Sequence, residues 1–272
     1  MTRFSLASVL LALLLLPAPT GAGPAGGGAE GSHLVELVRQ IQRADYEGDR
    51  AALERLYGEL APVDGGGTLG TRVRYWRGFA LWRKALNGFN DSVDPKELET
   101  DLGRASNEFE KANAVDPHFA DAMIGRLSCL SNLLFLNQKD PARVQQLVAQ
   151  AGPLRTEAES EAPENPRLFW VLGPNVWYAP PERGGSQQKA MDLYQRGLDL
   201  ARRNTAASAD PLEPSWGEPE LLMNLAWANL HKNSPDLDAA ERDARSALAL
   251  VPYWRYVRDT LLPQILHAKK TQ

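Results

Sequence analysis

Cysteine occurs once in this chain, at Cys129, so no disulfide within the chain can staple the fold in any compartment. Histidine occurs four times, at His33, His118, His231 and His267. None of these lies at the close spacing by which two imidazoles on one helix share a metal ion, and they read as loop or solvent-facing residues. Neither sign of charge dominates: 30 Lys and Arg face 34 Asp and Glu, for a formal net charge of −4. A mildly acidic chain with interspersed signs argues against nucleic acid as a main partner. There is no phosphate-loop Gly-Lys-Ser/Thr run and no Gly-x-Ser-x-Gly elbow. Gly21, Gly23 and Gly26, and again Gly65, Gly67 and Gly70, have the spacing of a dinucleotide-binding loop, but neither set follows a predicted strand and both read as accidental. Glu157, Glu159, Glu161 and Glu164 lack the Gly and regular Asp of a calcium loop and read as a solvated helix end. No catalytic residues and no cofactor are expected.

Long apolar runs are also scarce. Leu6 to Leu16, preceded by Arg3 and followed by Pro17 and small residues through Ala22, has the order of a secretory signal peptide. The run is about a dozen residues, short of the roughly 20 that a spanning helix needs. The expected organisation is a signal peptide over 1–22, a Gly/Ala/Pro-rich flexible leader over 23–31, a helical body over 32–266 and a tail over 267–272. Localisation is therefore expected to be periplasmic or secreted, with no stable membrane insertion once the signal is removed. Cys129 sits among Met123, Ile124, Leu127, Leu130, Leu133 and Leu134, which predicts a buried, inert thiol. Asn90-Asp91-Ser92 fits a glycosylation sequon, relevant only in a host with that pathway.

No stretch alternates apolar and polar residues as a half-buried strand does, and the chain reads as helices throughout. Leu34, Leu37, Val38 and Ile41 recur at helical spacing, Gly48-Asp49 marks a turn, and Leu53, Leu56, Tyr57 and Leu60 resume the stripe. The residues Gly65 to Gly67 end this first pair. Further pairs are expected over Val73 to Leu86 with Lys96 to Val115, Ala120 to Leu136 with Pro141 to Ala162, Arg167 to Tyr178 with Lys189 to Arg203, and Glu220 to Lys232 with Asp238 to Leu250. Asp116-Pro117 is a helix stop, because proline lacks an amide hydrogen and restricts its predecessor. Gly152-Pro153 is a candidate break, and Trp254 to Leu266 is expected to cap the open end.

Small and large residues then recur in register across these pairs. Ala105, Phe109, Ala112 and Pro117 share one spacing with Ala240, Ala244, Ala247 and Pro252, and Ala190, Tyr194 and Gly197 share its first part. On the first helices Trp76, Phe79 and Ala80, then Phe169, Leu172 and Gly173, then Leu222, Leu225 and Ala226 take equivalent places. This pattern resembles the tetratricopeptide repeat, in which a small residue lets a neighbouring helix approach and a large one fills the adjacent hole. The resemblance implies an all-α solenoid of about five stacked, degenerate helix hairpins with a C-terminal capping helix. Two loops are longer than the family pattern, Gly88 to Asp94 and Pro180 to Gly185. A further likeness, carried by Asn165 to Tyr178, Pro180 to Gly185, Lys189-Ala190 and Trp216-Gly217, is to exported bacterial members of the family, including the T-component of TRAP-type transporters.

The family resemblance also implies a concave groove lined by the first helices, and carrying its positions over gives a candidate site. From the second pair come Arg74, Arg77, Leu81 and Lys84; from the fourth Arg167, Trp170, Pro174, Trp177 and Tyr178; from the fifth Glu220, Met223, Trp227, Leu230 and His231. Cations at one end and aromatics along the floor suit an extended peptide with an acidic group, or a small amphipathic ligand. The same aromatics can equally be core, under the long Pro180 to Gly185 loop. The expected role is a non-enzymatic binding or scaffolding module for a protein or peptide partner, the alternative being a small-ligand auxiliary of a transporter.

Overall fold

The computed structural model describes residues 29–60, 67–203 and 210–271. The expected signal peptide, and the expected leader as far as residue 28, lie outside the described residues. Among those described there are α-helices and no strands: α1 (Ala29–Glu47), α2 (Arg50–Glu59), α3 (Gly67–Asn90), α4 (Pro95–Val115), α5 (Ala120–Leu136), α6 (Pro141–Glu161), α7 (Pro166–Tyr178), α8 (Gln187–Arg203), α9 (Glu218–His231), α10 (Leu237–Leu250) and α11 (Leu262–Thr271). Helix extends past both expected ends of the body. It takes in residues 29–31 of the leader and runs through His267 to Thr271 in the tail. A π-helical stretch, Val257–Leu261, leads directly into α11.

Local chemistry sets many of these boundaries. Asp94-Pro95, Asp140-Pro141 and Asn165-Pro166 open α4, α6 and α7: each acidic or amide side chain accepts from a first-turn amide, and the proline takes a position whose N–H would be orphaned anyway. Gly48, at φ +70°, makes the turn between α1 and α2, and the Asp49 side chain then accepts from the Ala52 amide at 2.9 Å. The candidate break at Gly152-Pro153 does not occur: α6 continues through Pro153. The carbonyl of Ala149, which Pro153 leaves without a donor, lies on an exposed part of the helix where water can serve it.

Helices pack as consecutive hairpins, and the odd-numbered members also pack in series, α1 on α3, α3 on α5, α5 on α7 and α7 on α9. That is the layout of a tetratricopeptide-like solenoid. Its small residues work as the repeat spacing predicts. Ala105, Ala190 and Ala240 are wholly buried. Phe109 of α4 is seated over two glycines, since a Cβ added at Gly78 would meet its ring at 2.9 Å and one at Gly125 at 2.5 Å. Burial pushes the Cys129 thiol well above its ordinary pKa, as its apolar neighbours predicted.

Candidate functional site

The residues carried over from the repeat pattern do not converge on one groove. Arg74, Arg77 and Lys84 lie on the side of α3 that faces α2 and α4. Arg77 donates to the Tyr57 carbonyl and to Glu108, each at 3.0 Å, and its guanidinium covers the Tyr57 ring. Arg74 is 4.0 Å from the same carboxylate. Lys84 bridges Glu54 at 2.8 Å and Asp101 at 3.1 Å, while Leu81 between them is fully buried. The Glu54 carboxyl is held down at about 2, chiefly by the hydrogen bonds from Arg104. Each of these cations thus lies against a carboxylate of a neighbouring helix. A single-helix wheel shows which residues share a face but not that two neighbouring helices cover it.

Arg167 and Trp170 belong to the interior. Arg167 donates to Asp121 of α5 at 2.9 Å and to the Trp216 carbonyl at 3.1 Å. Trp170 is 8% exposed, with its ring edge-on to Trp82 and Trp216. Glu220 is also fully buried: it accepts from the Gly217 amide at 2.8 Å, the Tyr46 hydroxyl at 2.7 Å and Arg83 at 2.7 Å.

Part of the surface of the odd-numbered helices is covered by the chain itself. Residues 210–217, between α8 and α9, cross the inward faces of α1, α3 and α7. The Trp76 indole donates to the Leu212 carbonyl at 2.7 Å, Arg72 pairs with Glu213, Gln42 donates to Ser215 at 3.1 Å, and the Trp216 indole donates to the Tyr75 hydroxyl at 2.8 Å. Trp216 packs against Phe79, Trp82 and Trp170, with Arg83 and Arg167 over its ring. In the sequence Trp216-Gly217 stood out only as part of a family likeness; the role of its segment depends on hydrogen-bond partners in other elements, 49 to 173 positions away.

The remaining candidates do come together, at the surface. Trp177 and Trp227 meet edge to face at 5.2 Å, Tyr178 lies 6.2 Å from Trp227, and His231 stacks on Trp227 at 4.4 Å. Met223 and Leu230 are half-buried on the same helix, and Pro174 one turn earlier on α7. Tyr178 is 71% exposed although its phenol, on the partly desolvated side, is pushed above its usual pKa. His231 has Nδ1 at 2.8 Å from the Trp227 carbonyl. A carbonyl only accepts, so Nδ1 carries the hydrogen, and in the neutral ring Nε2 is then the nitrogen with the lone pair. The loop after α7 supports the cluster: Gly184 turns at φ +86°, and the Ser186 amide donates back to the Val176 carbonyl at 3.0 Å. Beside it, Asn175 donates to Ser131 at 3.2 Å, which sets the ends of α5 and α7 level. Phe135 at the end of α5 is 61% exposed and meets Phe89 at 6.1 Å, an aromatic pair that the repeat positions did not single out.

Among the described residues no cluster of His, Cys, Asp and Glu is arranged to hold a metal ion, and no helix is long and apolar enough to cross a membrane. No protein-family model matches the chain, and no curated protein matches it in sequence. Solved structures do match in shape. The HusA haemophore from Porphyromonas gingivalis is 20% identical with a TM-score of 0.58, over 76% of this chain and 98% of that one. A thermophilic TPR protein of Thermus thermophilus is 18% identical with a TM-score of 0.49, over 86% of this chain and 98% of that one. With the packing of consecutive hairpins described above, the fold is tetratricopeptide-like and all-helical.

Proposed function

We propose that this chain is a non-enzymatic binding module and that its contact surface is the aromatic cluster of Trp177, Tyr178, Trp227 and His231, with Met223 beside it. The partner is a protein or peptide offering an apolar or aromatic side chain. The observation that carries this reading is the exposure of Tyr178, 71%, beside two tryptophans that are not fully buried. Large aromatic rings left in water cost free energy that a partner recovers by covering them, and such rings are the usual anchors of interfaces. The covering of α1, α3 and α7 by residues 210–217 supports placing the surface at this cluster rather than along those helices. The signal-like N-terminal pattern adds an exported setting to the proposal.

The test pairs stability with capture. Replacing Trp177 and Tyr178 together by Ala is expected to leave helical content intact and to abolish capture of a cross-linked partner from an envelope or secreted fraction. A doubly substituted protein that is folded and still captures the same partner would sink the reading. A second reading, a small flat amphipathic ligand, is favoured by the His231 Nε2 left available at the edge of the cluster and by the haemophore among the structural neighbours. Native mass spectrometry of the purified chain separates the two: a co-purified small molecule, released on substituting Trp227 and His231, supports the second.

A further inference from the structure

The segment across the inner faces of the repeat helices is held as a peptide ligand is held. The segment opens with a turn, in which the Glu213 amide donates to the Asp210 carbonyl at 3.1 Å and the Leu212 amide to the Asp210 carboxylate at 2.9 Å, and then runs without regular structure to Gly217; Leu212, Pro214 and Trp216 are buried, while Pro211 and Ser215 are exposed and Glu213 is half-buried. Its backbone is read by side chains of other elements: Trp76 donates to the Leu212 carbonyl at 2.7 Å and Arg167 to the Trp216 carbonyl at 3.1 Å. Its side chains have individual seats. Leu212 lies with Leu34, Val38, Leu60, Val73 and Trp76. Arg72 Nε donates to the Glu213 carboxylate at 2.9 Å. The Trp216 indole enters a box of Phe79, Trp82 and Trp170, with its N–H donated to Tyr75 at 2.8 Å. Main-chain contacts supply affinity in such modes, and separate side-chain pockets supply specificity.

We propose that the inward face of α1, α3 and α7 is a peptide-binding site which the chain fills in cis. The ligand class is a short segment that leaves a turn with an aliphatic side chain, a carboxylate immediately after it and an indole three residues further on. Tethering gives the internal segment a high effective concentration, so an external segment of the same kind is excluded until the internal one is weakened. This site is separate from the surface cluster of Trp177 and Trp227, and each proposal can fail without the other.

The probe is a synthetic peptide of this chain's residues 210–218, labelled at its amino terminus and titrated into the full-length protein. Wild type is expected to show no saturable binding, since the site is full. The Trp216→Ala protein, with its indole seat empty, is expected to bind the peptide saturably. Peptides carrying Glu213→Ala or Trp216→Ala should bind that protein about tenfold more weakly or worse, as loss of a charge-assisted bond or a buried ring implies. Should Trp216→Ala be unfolded by circular dichroism, the intact peptide is expected to restore helical signal in trans while the altered peptides do not. A folded Trp216→Ala protein that ignores the peptide, an unfolded one that the peptide fails to rescue, or binding indifferent to Glu213 and Trp216 of the peptide overturns the proposal.

Discussion

At Gly173 the backbone of α7 lies against the ring of Tyr194 from α8, so close that an added Cβ would fall 1.9 Å from Cε1. Gly103 of α4 has no such neighbour within 4 Å. The two glycines therefore give opposite predictions for the same substitution. Gly103→Ala should stabilise by roughly 0.5–1 kcal/mol through helix propensity alone. Gly173→Ala gains the same propensity but must displace a buried ring, and should be a net loss of about 1–3 kcal/mol, read as a lower urea midpoint. Equal midpoints for the two variants would mean that α7 and α8 do not approach as described. Gly173 and Ala190 were legible in the sequence for this steric reason, because residue size at the crossing point is dictated locally. Arg77 and Lys84 were not, since their partners Tyr57, Glu108, Glu54 and Asp101 lie on other helices and no periodicity within α3 reports them.

Among the helices, α6 and α3 stand at opposite extremes. α6 is 21 residues long and buries only Leu147, Leu154 and Ala158. α3 is covered by α2, α4, α1 and α5 and by the segment at 210–217, and most of its length is buried. Apolar burial sets the free energy of local opening, so native-state hydrogen exchange should show the α6 amides opening at a free energy lower than those of α3 by on the order of 2 kcal/mol or more. Uniform protection along both helices would contradict the packing order. The third hairpin supplied none of the residues that carried the repeat spacing, and the sparse burial of α6 gives a reason: a helix that hides few side chains needs few residues of fixed size. Helix α5 was nevertheless legible, because its run from Met123 to Leu134 is apolar on nearly every side and such a helix must be enclosed. The aromatic surface was only half legible. Helical spacing brought Trp177, Tyr178, Trp227 and His231 together, but with them Trp170 and Glu220, which are buried, and Arg167, which is paired with Asp121.

Across the whole molecule, the first helix is joined to the ninth by a buried cluster of charge. Arg83 of α3 lies 2.9 Å from Asp45 and 2.7 Å from Glu220, Tyr46 donates to Glu220 at 2.7 Å, and Asn87 donates to Asp45 at 3.0 Å. One guanidinium thus serves two carboxylates away from water. Burial raises the Asp45 pKa from 3.8 to about 6 despite the attraction of Arg83, with Glu220 adding to the rise. The sign of the consequence follows from proton uptake. Between about pH 4 and 6 the folded chain holds the Asp45 proton and the unfolded chain does not, so folding gains stability as pH falls through about 6 and the gain is complete near 4. At about 1.4 kcal/mol per unit, this single group contributes at most about 3 kcal/mol. Asp45→Asn mimics the protonated side chain, keeps an acceptor for Arg83 and removes the surplus negative charge. Its urea midpoint should exceed that of wild type at pH 7.5, approach it near pH 4.5, and vary less between those values. A midpoint below wild type at pH 7.5, with the wild-type slope retained, would show that the Asp45 charge is needed to hold α1 against α3 and α9, and that attraction to Arg83 outweighs desolvation in this cluster.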